Sequence, residues 1–123
     1  MTEWDTNTLA RIAATDDLHI APFREDGTTY GTPTWIWSVV VDESLYVRPW
    51  NGANSRWYKA AMNQGAGRIT TAGGTYDVRF HAANPAVNDD VDAAYRAKYA
   101  NSEYLPPMLA ARPRAATVRI TPA

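Results

Sequence analysis

The chain has no cysteine among its 123 residues, and it has only two histidines, His19 and His81. The absence of thiols excludes disulfide bonds, cysteine nucleophiles and metal sites built on cysteine sulfur. Neither histidine belongs to a His-x-x-x-His motif. The acidic run of Asp89, Asp90 and Asp92 is better explained as favourable negative charge at a helix start than as a cation site. We therefore predict no metal centre.

Long apolar runs are also missing, because the longest, at residues 35–41, is interrupted by Ser38. Such a run is far shorter than a membrane-spanning helix requires. The first five residues, Met-Thr-Glu-Trp-Asp, lack a basic region followed by an apolar one, so we expect no signal peptide. The sequence thus predicts a cytoplasmic protein with no membrane partner.

Lysine is scarce, since Lys59 and Lys98 are the only two, and the formal net charge of -1 leaves no excess of positive charge. Nucleic-acid binding depends on a basic face that neutralises phosphates, so we expect no nucleic-acid partner. The composition, 46% hydrophobic and 20% charged, is that of a globular protein. The length suits one domain over residues 1–123.

Alternating apolar residues and turn signals predict more strand than helix. We predict strands at 18–24, 34–41, 45–48, 68–72, 75–82 and 116–120, with turns at 42–44 and at Gly73-Gly74. Asp5 is predicted to cap a first helix, a second spans 55–64, and Asn88 caps a third. Consecutive strands pair as hairpins, so we predict an α+β protein, mainly β with flanking helices. Its small antiparallel sheet closes into a barrel.

Residues 46–59 are the segment most indicative of function. A predicted strand ends at Arg48, a turn follows, and a helix begins near Ser55. Helix starts offer unpaired N–H donors and partial positive charge, arginine suits phosphate or carboxylate, and indole faces suit a flat ring. The turn and helix start contain Trp50, Asn51, Asn54, Ser55, Arg56 and Trp57. The segment predicts a docking place for a planar, anionic molecule; the alternative is a buried tryptophan cluster covered by arginines.

Two other groups of polar residues bear on this site. Hydroxyls at Thr32 and Thr34 stand where the strand at 34–41 begins, and such groups can bind the edge of a heterocycle; the alternative is a solvated turn. Four arginines lie at predicted strand ends or at the helix start, namely Arg24, Arg48, Arg56 and Arg68. If they converge they form an anion site, whereas singly each is a surface arginine.

Four stretches carry a resemblance to a known family. They are Gly-Thr-Pro-Thr-Trp-Ile-Trp at 31–37, Leu-Tyr-Val-Arg at 45–48, Asn-Gly-Ala-Asn-Ser-Arg-Trp-Tyr-Lys-Ala-Ala at 51–61 and Ala-Tyr-Arg-Ala-Lys-Tyr at 94–99. Together they resemble a bacterial domain of unknown function, number 2255, over nearly the whole chain. That family is similar to the flavin-binding split-barrel group, which includes pyridoxamine-phosphate-oxidase-like proteins and deazaflavin-dependent nitroreductases. The resemblance implies an FMN-binding split-barrel-like fold.

The resemblance also implies a cofactor, FMN or the deazaflavin coenzyme, although some split barrels bind none. In that group the strand after a Gly-x-Pro turn lies beside the ring, and the next strand-to-helix turn holds the phosphate. This carry-over places Thr34 and Trp35 beside the ring. It assigns the phosphate to Arg48, Asn54, Ser55 and Arg56, with Trp57 packing beneath the helix. The complete predicted cofactor set is Thr34, Trp35, Arg48, Trp50, Asn51, Asn54, Ser55, Arg56, Trp57 and Arg68.

The predicted function is that of a flavin- or deazaflavin-dependent oxidoreductase that acts on a small organic substrate. Tyr30, Tyr58 and Tyr104 are the nearest residues for proton delivery. The alternative is a cofactor-free binding protein, or a non-redox isomerase or cyclase, that uses the same pocket. One departure from the resemblance is that the deazaflavin enzymes place basic residues along a groove for an acidic tail, whereas this chain has few lysines. Many split barrels are homodimers, and we expect a homodimer here.

Overall fold

The computed structural model describes residues 3–123 as seven strands and five α-helices. In chain order they are α1 (Thr6–Ala13), β1 (Leu18–Pro22), β2 (Thr34–Ile36), β3 (Ser38–Val41), β4 (Ser44–Val47), α2 (Arg56–Gln64), β5 (Ala66–Thr71), β6 (Gly74–Ala82), α3 (Asn88–Lys98), α4 (Leu105–Met108), α5 (Ala111–Ala115) and β7 (Val118–Pro122). Short 3₁₀ turns at Gly52–Asn54 and Pro85–Val87 precede α2 and α3. Within residues 3–123 no helix is both long and apolar enough to cross a membrane.

All seven strands belong to one antiparallel sheet in the order β2-β1-β5-β6-β7-β4-β3. The two edge strands, β2 and β3, are separated along the chain only by Trp37. Because one short stretch of chain supplies both edges, the sheet curls round until it nearly closes. The predicted fold, an antiparallel split-barrel-like α+β protein, is confirmed. The predicted strand at 34–41 is in fact two strands with different partners.

The barrel interior is a core of aliphatic side chains from all seven strands, to which β3 contributes the partly buried Val40. Leu18, Ile20, Leu45, Ile69 and Ile120 are fully buried there. Helix α1 adds Leu9 and Ile12, and α2 adds Ala61. The predicted alternation in β6 is confirmed, since Val78 and Phe80 are buried whereas their neighbours Asp77 and Arg79 are exposed.

A second core lies on the outer side of β3 and β4, where α3 covers the barrel. It joins Val39 and Tyr46 of the sheet to Val91, Tyr95 and Tyr99 of the helix and its end. The helix therefore packs on the sheet through one apolar stripe. These two cores place α3, and the loop that follows it, beside the corner at Trp37.

The two tight hairpin turns differ slightly in position from those predicted. Gly73-Gly74 was expected to form one turn, but its central residues are Ala72 (φ 50°) and Gly73 (φ 77°), because Thr71 pairs with Gly74. In the other turn Val41 pairs with Ser44. Its central residues, Asp42 and Glu43, have φ values of 48° and 65°. Both hairpins thus use the two-residue turn whose twist matches the strands.

Helix starts and stops follow the sequence in two cases and depart from it in one. The Asp5 carboxylate accepts a hydrogen bond from the Thr8 N–H at 3.1 Å, as predicted for a cap. Gly65 ends α2 with φ 66°, directly after the predicted helix span of 55–64. Asn88, expected as a cap, is instead the first residue of α3, and its Oδ1 accepts a hydrogen bond from Thr117. The Asn88 side chain therefore bonds to Thr117, the residue before β7, instead of capping α3.

Candidate functional site

A cavity of about 710 Å³ opens between the corner at Trp37 and the loop that follows α3. We call it the aromatic pocket. Its walls are Asp16, Trp35, Ile36, Trp37, Arg48, Trp50, Tyr99, Ser102, Tyr104 and Met108. Half of these ten residues are aromatic, and ligand cavities of this size and lining are typical of small-molecule sites.

The wall formed by β2 and the corner is held rigidly. The indole N–H of Trp35 donates a hydrogen bond to the Asp16 carbonyl at 2.6 Å, which fixes a side chain that is 52% exposed. Trp37 stacks on Tyr99 with ring centres 4.0 Å apart and planes 5° apart. The Tyr99 hydroxyl donates to the Ser38 carbonyl, and burial raises the Tyr99 pKa to about 12. Because both indoles are held in place before any ligand arrives, this wall is preorganised for a flat ring.

Another part of the wall consists of two exposed aromatic side chains from separate segments. Trp50 lies just after β4, and Tyr104 lies just before α4; they are 47% and 56% exposed. Their rings meet edge to face with centres 5.8 Å apart. Large aromatic surfaces left in water usually mark a binding site. The predicted ring-binding residues Trp35 and Trp50 therefore both line the same cavity.

Arg48 contributes to the floor of the pocket, but its guanidinium is bound inside the protein. Its side chain is fully buried and forms an ion pair of 2.6 Å with Asp92 of α3. Its Nε donates to Thr117, and its terminal nitrogens donate to the carbonyls of Met108 and Asn88. Since these contacts occupy most of its five N–H donors, Arg48 is a structural tie and not a free phosphate ligand. These internal contacts do not support the predicted phosphate role of Arg48, which stays a prediction.

Asp92 is shared between Arg48 and a second arginine. Arg114 of α5 binds Asp92 at 3.1 Å and also pairs with Asp89. The acidic run was interpreted from the sequence only as a favourable helix start. Asp89 does lie in the first turn of α3. The burial of Asp92 could not be predicted from the local sequence, because its partner Arg48 is 44 residues away.

The helix-start residues assigned to a phosphate do not line the aromatic pocket. Asn51 and Asn54 are exposed, and Ser55 begins α2 without a side-chain capping bond. Arg56 is exposed and borders a different groove of about 640 Å³, together with Arg24 and Lys59. No residue is common to the linings of this groove and the aromatic pocket. The expected combination of an anion cradle with an aromatic slot is not assembled from these residues.

Arg68 lies on the outer face of the sheet. Its guanidinium stacks on the Tyr30 ring 3.7 Å from the ring centre, and its Nε lies 3.8 Å from Asp77. The Tyr30 hydroxyl donates to Asp77 at 2.7 Å, and this hydrogen bond raises the Tyr30 pKa. The four arginines predicted to converge therefore separate: Arg48 is internal, Arg24 and Arg56 border one groove, and Arg68 belongs to this surface cluster.

The remaining predicted site residues also lie in different parts of the molecule. Trp57 and Tyr58 are half-buried and pack against the barrel core, as predicted for Trp57. Thr34 is exposed at the start of β2, where its hydroxyl donates to the Thr32 carbonyl. Of the three tyrosines considered for proton delivery, only Tyr104 lines the aromatic pocket.

Metal ligands do not cluster in the part of the chain that the structure describes. Residues 3–123 contain no group of three or more histidine, aspartate or glutamate side chains placed to hold an ion. His81 contacts the Thr121 hydroxyl, and burial lowers the His81 pKa. Nothing in these residues therefore adds a metal to the aromatic pocket.

Comparison with curated proteins finds no match. Comparison with family models finds one that matches residues 8–120, described as an uncharacterized protein family conserved in bacteria (DUF2255). The matched range includes nearly every residue of the barrel and every wall of the aromatic pocket. The chain belongs to the DUF2255 family.

Proposed function

We propose that the aromatic pocket binds a planar ring, and that this ring is the flavin or deazaflavin of an oxidoreductase acting on a small organic substrate. The observation that carries the proposal is the convergence of Trp35, Trp37, Trp50, Tyr99 and Tyr104 around one cavity. Offset stacking and edge contacts with indole and phenol rings are the interactions that favour a flat heterocycle. The resemblance to split barrels that bind flavins supports the same choice.

The pocket residues fit the ring of such a cofactor. The cavity of about 710 Å³ lies within the usual range for small-molecule sites. Exposed faces of Trp35 and Trp50 stand ready for contact, since neither indole is buried against the core. A bound flavin or deazaflavin supplies the hydride chemistry, while the protein holds the ring and limits its access to water. Tyr104 is the titratable hydroxyl at the rim that is suited to move a proton.

The residues do not fit a phosphate in the same cavity. Arg48 is the only arginine or lysine in the pocket wall, and its charge is already paired with Asp92. We therefore assign no phosphate site. This observation favours a second candidate function, in which the pocket binds a small planar molecule without a nucleotide tail and the protein is a binding module or a non-redox isomerase or cyclase.

Equilibrium titration with riboflavin and with FMN, followed by flavin fluorescence, tests the proposal. We expect a flavin to bind, and we expect Trp50→Ala to weaken binding by about 1–2 kcal/mol through lost stacking. Arg56→Ala serves as the matched control, because Arg56 borders the other groove and its removal should leave the affinity unchanged. If neither flavin binds, the flavin form of the proposal fails. The same titration with a deazaflavin then decides between the deazaflavin form and the second candidate.

We also propose a homodimer. The three exposed large aromatic side chains, Trp35, Trp50 and Tyr104, all lie at the mouth of the pocket, and such patches are typical of interfaces between copies. Sedimentation equilibrium should show a dimer that Trp50→Ser weakens. A monomer at every concentration tested would contradict this part of the proposal.

A further inference from the structure

Lys98, at the end of α3, lies immediately beside the aromatic pocket. Its Nζ is 5.5 Å from the centre of the Tyr99 ring, which belongs to the pocket wall. The same Nζ donates a hydrogen bond to the Ser38 carbonyl at 2.8 Å. Burial lowers the Lys98 pKa, and the nearby charge of Asp16, another wall residue, partly opposes this effect. Lys98 is not itself a wall residue, but its partly desolvated ammonium group lies next to Tyr99, which is one.

The ammonium group of Lys98 has no acidic partner among residues 3–123. The ion pairs of this part of the chain are made by Arg48, Arg68 and Arg114. An ammonium group has three N–H donors, and only one of them is used, on Ser38. A half-buried charge without a partner is unfavourable, so an anion that reached it would be stabilised more than at an exposed lysine.

The hydrogen bond to Ser38 does not by itself explain this placement. The Ser38 carbonyl also accepts a hydrogen bond from the buried Tyr99 hydroxyl at 3.3 Å. The carbonyl therefore stays bonded when Lys98 is removed. Because a second donor remains, the Ser38 carbonyl does not require Lys98. The side chain can therefore be replaced without leaving a buried carbonyl unpaired.

We propose that Lys98 binds an acidic substituent of the pocket's planar ligand, so that the pocket prefers an aromatic acid to a neutral ring of the same shape. This inference rests on the proposed ring-binding function of the pocket. Asp16 opposes it, because its carboxylate lies on the same wall and repels an anion. Asp16 is exposed, however, and its contact with Trp35 uses its backbone carbonyl, so solvent weakens that repulsion.

The test compares two probes of the same shape, 2-naphthoate and 2-naphthamide, by isothermal titration. The unmodified protein should prefer the naphthoate by about three- to tenfold, as a partly buried charge-assisted contact gives. Lys98→Met should reduce that preference to about one while changing naphthamide affinity little, and Lys98→Arg should restore it. Asp16→Asn should increase the preference, since it removes the opposing charge. Lys59→Met, on exposed α2, is the matched control and should change neither affinity.

Each outcome has a distinct meaning. Equal affinity for the two probes, or a naphthoate preference that survives Lys98→Met, overturns the inference and leaves the ring-binding pocket intact. Failure of both probes to bind contradicts the pocket itself, and the inference falls with it. If circular dichroism shows that Lys98→Met does not fold, the Lys98→Gln and Asp16→Asn proteins decide instead. The inference then requires the naphthoate preference to fall in Lys98→Gln and to rise in Asp16→Asn.

Discussion

Arg48 joins the barrel to α3, to α4 and to the residue that precedes β7. Its backbone follows β4, while its guanidinium contacts Asp92 of α3, Met108 of α4 and Thr117 before β7. A buried guanidinium is tolerated only when its charge and its donors are paired, as they are here. The same side chain contributes to the floor of the aromatic pocket, so its pairing also fixes the shape of the site.

Removal of Arg48 should therefore affect stability before it affects binding. We expect Arg48→Ala to lower the free energy of unfolding by about 3–5 kcal/mol, because Asp92 would keep a buried charge with one arginine fewer. Urea denaturation measures this change. Arg96→Ala is the matched control, since Arg96 is exposed on the same helix, and it should change stability by less than about 0.5 kcal/mol. A stable Arg48→Ala protein that had lost only ligand affinity would contradict the structural role.

Asp26 makes the stability of the loop between β1 and β2 dependent on pH. Its carboxylate accepts hydrogen bonds from the N–H groups of Thr28 and Thr29 and from the Thr29 hydroxyl, and these contacts lower its pKa from 3.8 to about 2. A pKa lowered by folding stabilises the native state above the unfolded pKa. The contribution is complete above pH 3.8 and is lost as the pH falls towards about 2.

The corresponding prediction concerns Asp26→Asn. Unfolding curves should show the substituted protein less stable than the unmodified one near neutral pH, with the difference shrinking as the pH falls through that acidic window. A difference that is the same at every pH would mean that the carboxylate charge plays no part.

At the scale of elements, the two tight hairpin turns differ in how well their residues suit the backbone. Asp42 and Glu43 occupy the left-handed region, which is unfavourable for side chains with a Cβ atom. In the turn between β5 and β6 the second position is Gly73, and a Cβ atom placed there would touch nothing within 4 Å. Substitution at either position thus changes backbone strain with little change in packing.

We therefore expect glycine to stabilise the first turn and the loss of glycine to destabilise the second. Glu43→Gly should stabilise the protein by about 0.5–1 kcal/mol, and Gly73→Ala should destabilise it by about 1 kcal/mol. Urea denaturation of the two proteins measures both values. Effects of the same sign would show that contacts of the Glu43 side chain, rather than backbone angles, decide the stability of its turn.

Local patterns in the sequence predicted most of these elements. The alternation of Val78 and Phe80 with charged residues identified β6, and Gly65 identified the end of α2. The break at Trp37 was not predictable, because apolar residues continue through it. The break is decided by distant partners: Trp35 pairs with His19, whereas Val39 pairs with Tyr46.

The site was predicted only as far as residue type indicates chemistry. Exposed Trp35 and Trp50 were named from the sequence as ring-binding residues, and the structure brings them to one cavity. The positions of the arginine side chains could not be predicted, because each depends on a partner far along the chain. Lys98 and Tyr99 were missed, since a helix end that returns to the barrel corner has no local signal.

At the scale of the whole molecule, near-closure of the barrel is what creates the aromatic pocket. A chain that leaves one sheet edge as β2 and joins the other as β3 must turn at Trp37, and the turn leaves Trp35 and Trp37 on the outside of the barrel. The loop after α3 and the turn after β4 then supply the other walls. The pocket therefore depends on the topology of the sheet and not on one motif.

The most direct test of this account is a nuclear magnetic resonance titration that follows the indole N–H signals of the five tryptophans while riboflavin is added. Trp35, Trp37 and Trp50 line the pocket, whereas Trp4 and Trp57 pack against the barrel core and serve as internal controls. We predict that the first three signals shift in a saturable way and that the other two stay in place. Shifts confined to Trp4 and Trp57, or no shift at any tryptophan, would contradict the assignment of the aromatic pocket as the ligand site.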